Sequence, residues 1–260
     1  LGDVYKRQLE DHTNRLFESA EAVNMKIPFS KEQLNDVQKE IFKVNNLEEG
    51  YIRPMCFYGA QGMGLRADNL KTHCIVAAWE WPSYMSPEAF DEGIKIKISS
   101  YKRQTNNLVS RSKVNGNYVT SIMALQEAMQ EGFDEALLLD DEGNISEGSG
   151  ENLFLVKEGE LFTPDLAASL NGITRKSIIS LAQEDGIEVR VKKINLTEIL
   201  DADELFFTGT AAEVVPIRTV DQNTIASGKR GPITTILQKK YFDQVRGKRD
   251  SFSDWLTPIE

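Results

Sequence analysis

The chain is short of the residues that metal and disulfide chemistry need. It holds two cysteines and two histidines in 260 residues. Cys56 and Cys74 lie in apolar, strand-like runs, where buried, reduced thiols of a cytoplasmic protein are the expected reading. His12 and His73 stand far apart without ligand spacing, so no metal site is expected. Positive charge is scarce too: 30 Lys and Arg stand against 40 Asp and Glu, a net charge of −10. Such a chain repels nucleic acid and anionic membranes unless a local basic patch exists. Lys239-Lys240 and Lys248-Arg249 are too short to make one. No apolar run reaches membrane-spanning length and no secretory leader is read. The expectation is a soluble, cytoplasmic protein without nucleic-acid or membrane partners.

What is present is enough apolar material, 40% of the residues, for one large or two modest domains. Residues 1–8 have no periodicity and do not read as the start of a domain. From Leu9 a helix begins, with Leu16, Phe17, Ala20 and Val23 sharing its face and Arg15 on it. A second helix covers Lys31–Val44, capped by Ser30, with Leu34, Val37, Ile41 and Phe42 inward. Tyr51–Tyr58, 73–81 and 94–101 read as strands. Residues 59–64 superficially resemble a nucleotide loop, but the spacing is wrong and no helix follows, so an inter-strand loop is expected. Arg53 inside an apolar strand needs a local acid or a ligand carboxylate for its guanidinium fork. Trp79, Trp81 and Tyr84 pack an interface or wall an apolar pocket.

The polar, aperiodic stretch 102–112 reads as a linker between an α+β first half, 1–101, and a second half, 113–260. Small-molecule sites favour such junctions. Beyond it a helix spans Tyr118–Gln130, with Ile122, Leu125 and Met129 inward. Strands follow at 134–139, 153–156, 187–191, 203–207 and 214–219, and a last helix covers Pro232–Val245 through Ile233, Ile236, Leu237 and Tyr241. Residues 140–144 read as an acidic turn, and 145–152 as a stretch with two closely spaced glycines that carries Glu147 as a turn carboxylate.

Lys113 stands at the linker's end, five residues ahead of Tyr118. A lysine shielded from water loses part of its preference for the charged form and can attack an aldehyde. The glycine turn 170–175 ends at a helix N-terminus, a seat for phosphate, with Thr174 placed to cap it. The small and hydroxyl residues 208–213 at a strand end can form a second anion-holding nest. Two anion seats, a shielded lysine, a tyrosine and a carboxylate together meet the needs of pyridoxal phosphate.

Arg15-Leu16, Tyr51-Ile52-Arg53-Pro54, Ser112-Lys113-Val114-Asn115-Gly116-Asn117-Tyr118, Ile145-Ser146-Glu147-Gly148-Ser149-Gly150-Glu151-Asn152-Leu153-Phe154, Gly172-Ile173-Thr174-Arg175 and Thr208-Gly209-Thr210-Ala211-Ala212-Glu213 come in one order. As a set they closely resemble the fold-type IV pyridoxal-phosphate transaminases, and among these the branched-chain amino acid aminotransferases. The resemblance implies an α+β fold of two domains, a small α/β domain and a larger pseudo-barrel domain with flanking helices. It implies pyridoxal 5′-phosphate as cofactor and Lys113 as Schiff-base lysine and proton shuttle. Glu147 would pair with the pyridine nitrogen and Tyr118 with the ring oxygen, Leu170 would pack on the ring, and Arg15, Ile173, Thr174, Gly209 and Thr210 would hold the phosphate. Tyr51, Thr210 and Ala211 would bind the substrate α-carboxylate, Arg53 would receive the glutamate side chain, and Trp81 and Tyr84 would wall the apolar pocket. The implied reaction moves the amino group of Leu, Ile or Val to 2-oxoglutarate, in a homo-oligomer that is a dimer or a trimer of dimers. Aminodeoxychorismate lyase, D-amino acid transaminase and an inactive cofactor-binding chain are the alternatives. The family's opening strands, with their Phe-Glu-Gly segment, have no counterpart before Leu9. The chain is therefore expected to be a fragment and residues 1–8 a foreign scar or assembly artefact.

Overall fold

The computed structural model describes residues 5–62, 64–81, 83–105 and 111–259. In chain order the elements are β1 (Tyr5–Arg7), α1 (Leu9–Ala22), α2 (Lys31–Val44), β2 (Tyr51–Tyr58), β3 (Thr72–Trp79), α3 (Pro87–Glu92), β4 (Ile94–Arg103), α4 (Tyr118–Gln130), β5 (Glu135–Asp140), β6 (Ile145–Gly148), β7 (Asn152–Lys157), β8 (Glu160–Pro164), α5 (Ile173–Glu184), β9 (Val189–Lys192), α6 (Leu196–Leu200), β10 (Glu204–Gly209), β11 (Glu213–Val220), β12 (Asn223–Thr224), α7 (Pro232–Val245) and β13 (Leu256–Pro258). They form two compact units, Leu1–Pro82 with Gln244–Glu260, and Ser83–Asp243.

The first unit contains the β2–β3 hairpin, the α1–α2 pair and a small ribbon joining the two chain ends. Residues 5–8, expected as a foreign scar, are built into it. Tyr5, Lys6 and Arg7 pair antiparallel with Pro258, Thr257 and Leu256, and the Gln8 N–H donates to the Trp255 carbonyl at 2.6 Å. In α2 the expected cap forms completely: Ser30 Oγ accepts the Gln33 N–H while the Gln33 side chain accepts the Ser30 N–H, satisfying two end donors at once. The α1–α2 seam is more polar than the sequence pattern indicates. Thr13 donates to Asn35 Oδ1 at 2.5 Å and accepts from Gln38 Nε2 at 3.0 Å, and Gln38 takes a buried position while Val37 is exposed.

The second unit is built on a nine-stranded mixed sheet, ordered β6-β5-β4-β11-β10-β7-β8-β9, with β12 paired to β11. β4 is parallel to both β11 and β5. The compact units thus divide at Pro82 and Asp243, whereas the sequence places its boundary at 102–112. The reason is backbone pairing: β4 runs on to Arg103, opposite Asp140 of β5. Residues 106–110 of the expected linker lie outside the described residues. The glycine-containing stretch 145–152 is likewise partly strand, as β6 pairs with β5. One sheet face carries a continuous apolar core that includes Ile96, Leu137, Leu153, Leu205, Phe207 and Val215. Side-chain alternation sends Phe154 and Phe206 to the other face, where these cross-strand partners stack at 5.1 Å.

Beyond Val37 in α2, helix faces differ from expectation in α4 and α7. α4 buries Ser121, Ala124 and Ala128 against β4 and β5 and leaves Ile122 and Met129 exposed. α7 buries Leu237 and Tyr241 but exposes Ile236. Among the described residues no helix is long and apolar enough to cross a membrane.

Candidate active site

β6 puts Glu147 on the floor of a cleft in the second unit, 4% exposed. Its carboxylate accepts from three donors. Oε1 accepts from Arg103 Nη2, at the end of β4. Oε2 accepts the Leu170 N–H at 2.9 Å and Asn152 Nδ2 at 3.4 Å. Asn152, at the start of β7, also donates to the Leu170 carbonyl at 2.9 Å. A carboxylate fixed on several sides keeps one orientation and presents a fixed negative edge. Gly172 is required here, because a Cβ at that position would lie 2.1 Å from Asn152 Oδ1.

Lys113 precedes a short 3₁₀ turn, Asn115–Asn117, that leads into α4. Its Nζ donates to the Tyr118 hydroxyl at 2.5 Å and lies 5.2 Å from that ring's centroid. Both side chains line the cleft with Arg103, Glu147, Glu151 and Leu170. The expected shielding is not seen: Lys113 is exposed, because it sits on the loop ahead of the helix and its amine meets the tyrosine at the cleft's rim rather than its floor.

A second carboxylate, Glu151, is buried beside them and accepts the Gly150 N–H at 2.9 Å. Burial first, and then the neighbouring Glu135, push its pKa well above the usual carboxylate range. Burial also raises Glu135, whose Oε2 is buried with no hydrogen-bond partner among the described residues. Tyr84 belongs to this unit and feels the same acids: burial, then Glu151 and Glu135, push its hydroxyl up to about 12.

The expected anion seats take a related form. α5 begins at Gly172 in extended conformation with no side-chain cap, and Thr174 lies buried within the first turn instead of capping it. A helix start without a side-chain cap leaves its first N–H groups, here those of Ile173 and Thr174, for a ligand. Residues 210–212 form the turn between β10 and β11, and Glu213 has a left-handed φ of 58°. Gly209 lies against the Glu147-to-Asn152 loop, since a Cβ on it would come 3.4 Å from the Gly150 carbonyl. Thr210 and Ala211 are half-buried in that turn.

The remaining expected residues belong to the first unit. Arg15 is half-buried on α1. Tyr51, Arg53 and Trp81 come together with Trp79: the Arg53 guanidinium carbon lies 5.2, 5.3 and 5.8 Å from the ring centroids of Tyr51, Trp79 and Trp81. The sequence suggests a local acid or a ligand carboxylate for Arg53, and among the described residues its neighbours are aromatic faces rather than an acid. Their quadrupoles attract a cation, and exposure of Arg53 on the hairpin removes the need for a buried counter-ion. In the sequence Trp79 reads as packing an interface or walling a pocket, and its contact with Arg53 does not show. Arg103 and Asn152 carried no signal of their role, since a polar run and a motif's last letters do not reveal what they touch across the sheet. Among the described residues no group of three or more His, Cys, Asp or Glu could hold a metal ion.

The Amino-transferase class IV family pattern matches residues 2–220. A branched-chain-amino-acid aminotransferase of Pseudomonas aeruginosa is 51% identical over 254 residues, 97% of this chain and 83% of that protein. The crystal structure of the Escherichia coli branched-chain amino acid aminotransferase superposes with a TM-score of 0.95 at 38% identity, covering 98% of this chain and 85% of that one. The T.th. branched-chain amino acid aminotransferase, solved with N-(5′-phosphopyridoxyl)-L-glutamate, gives 0.93 at 39% identity, with coverage of 98% and 84%. With its family pattern running from the first ribbon through the site strands, the chain belongs to the class IV aminotransferases.

Proposed function

We propose that this chain is a pyridoxal 5′-phosphate-dependent transaminase that moves the amino group of branched-chain L-amino acids to 2-oxoglutarate, working as a cytoplasmic homo-oligomer. The observation that carries the reading is the cleft in which Lys113 and Tyr118 stand with Glu147. The names of the relatives and the phosphopyridoxyl-glutamate bound to one of them support the substrate pair.

The donor set fits the cofactor. Glu147 offers an acceptor edge for a ring N–H, Lys113 offers an amine, and the α5 start and the 209–211 turn offer backbone N–H groups to a phosphate. When bound, the cofactor supplies an aldehyde carbon and an electron-accepting ring. The protein supplies the rest. Tyr118 orients the Lys113 amine, which is the group placed to anchor the cofactor and to carry a proton to and from the substrate α-carbon. Arg103, Asn152 and the Leu170 N–H keep Glu147 aimed. In the second unit Leu170 would pack against the ring, Thr210 and Ala211 would receive an α-carboxylate, and Tyr84 would offer an apolar wall. In the first unit Arg15 would offer charge to a phosphate and Tyr51 a hydroxyl to an α-carboxylate, while Arg53, held among its aromatics, would accept the distal carboxylate of glutamate and Trp81 would face a hydrocarbon side chain.

The test is spectroscopic. Protein reconstituted with pyridoxal phosphate gains visible absorbance that L-leucine bleaches and 2-oxoisocaproate restores, and Lys113→Ala abolishes the absorbance band. Retention of the band in that variant, or bleaching by D-alanine but not L-leucine, overturns the assignment.

A further inference from the structure

The hairpin of the first unit holds a feature with no place in transamination. Cys56 and Cys74 are direct cross-strand partners in the β2–β3 register. Their Sγ atoms are 3.0 Å apart, and both residues are free and half-buried. Alternation puts them on the face opposite Arg53, Phe57, His73 and Ile75, which are exposed. They thus share a face with Ile52, which is buried. Two thiols brought into sulfur contact by backbone register need little rearrangement to bond. β2 and β3 form a sheet of two strands only among the described residues, and such ribbons hold their register weakly by themselves.

We propose that Cys56 and Cys74 are a dithiol site that a low-molecular-weight disulfide converts to a cross-strand disulfide, fixing the register that places Tyr51 beside Trp79 and Arg53 opposite Ala77. The exchange balances in two steps. One protein thiolate attacks the small disulfide, forming a mixed disulfide and releasing one small thiol. The second protein thiol then attacks the protein sulfur of that mixed bond, releasing the other small thiol. The two protein sulfurs are oxidised, the small disulfide is reduced, and both protein thiol protons end on the departing thiols. Burial, then the facing Cys74, push the Cys56 thiol up to about 12. Either thiol can be attacked first, and the 3.0 Å contact places the other to resolve the mixed disulfide. This inference is independent of the proposed cofactor chemistry.

The experiment treats the folded, full chain with oxidised glutathione and digests it with trypsin without reductant. Peptides 44–66 and 72–95, which hold the two cysteines, are expected as one linked species lacking two hydrogens, which dithiothreitol separates. Before digestion, the oxidised protein is expected to melt several degrees above the reduced protein, on the order of 5 °C. Cys56→Ser and Cys74→Ser should each instead retain one glutathione and show no rise in melting temperature. Recovery of both peptides unlinked from wild type, whether unmodified or each carrying glutathione, overturns the proposal.

Discussion

Glu151 shows how a single buried carboxyl sets a pH dependence. It is buried, flanked by Glu135 and Glu147 with Lys113 within electrostatic reach, and its pKa is raised chiefly by burial. The folded pKa lies above the unfolded value, so its contribution to stability is full below the ordinary carboxylate value of 4.5. It is lost as pH rises from there through the folded pKa. Glu135 is shifted the same way and adds to the loss. Glu151→Gln keeps an acceptor for the Gly150 N–H and removes the ionisation. The variant is expected to gain on wild type by up to about 1.4 kcal/mol for each pH unit above that value, until the folded pKa is reached. Urea unfolding at pH 5 and pH 8 checks this, and a gap that narrows with rising pH would contradict it. Glu147 itself was legible in the sequence because it stands in a recognisable run. Its orienting partner Arg103 was not, because the two are 44 residues apart and only the pairing of β4 with β5 and of β5 with β6 brings them together.

At the scale of elements, the ends were more legible than the faces. The bounds of α2, β2, α4 and α7 follow from caps, prolines and apolar runs, which are local signals. The buried side of α4 depends on what it lies against. Ser99 and Ser100 of β4 donate to Glu127 through both hydroxyls and the Ser100 N–H, lowering the pKa of that glutamate and drawing the helix close. At that approach only small residues fit, so Ser121, Ala124 and Ala128 go inward and Val119, Ile122, Met123 and Met129 outward. Apolar periodicity favours the larger residues and so selects the wrong face. Ala124→Leu is expected to destabilise by roughly 1–3 kcal/mol through overpacking, while Ile122→Ala changes stability by less than about 0.5 kcal/mol. Denaturant midpoints of the two variants decide the matter, and the reverse order would show that the helix packs as its sequence pattern indicates. α7 offers a similar case: Glu204 of β10 accepts the Ile233 and Thr234 N–H groups at 3.0 and 2.7 Å. A Cβ on Gly231 would lie 2.1 Å from the Glu204 carboxyl carbon, so a strand residue caps a helix and needs a glycine beside it.

On the scale of the whole molecule, the least legible feature is that distant segments complete one another. The first unit draws on both chain ends, and the second takes β4 as an interior strand of its sheet. Neither arrangement leaves a mark in composition, because strand order is settled by pairing between segments far apart in sequence. The first unit has a consequence that can be measured. β13 supplies three paired residues to β1, Trp255 accepts the Gln8 N–H, and the Phe252 carbonyl accepts from Gln244 Nε2 at 3.1 Å. Each backbone bond is worth roughly 0.5–1.5 kcal/mol net; the β1–β13 pairs and the Gln8 bond hold the start of α1, where Leu9 is 1% exposed, and the Gln244 bond ties the C-terminal segment to α7. Removing residues 251–260 is expected to free β1 and expose Leu9. Amide protection in α1 then falls by at least about tenfold, while β7 and β10, whose partners all lie within the second unit, keep theirs. Hydrogen exchange read by mass spectrometry separates the outcomes. Equal loss across both units would mean that they unfold as one, and unchanged protection in α1 would mean that the terminal ribbon contributes nothing to it.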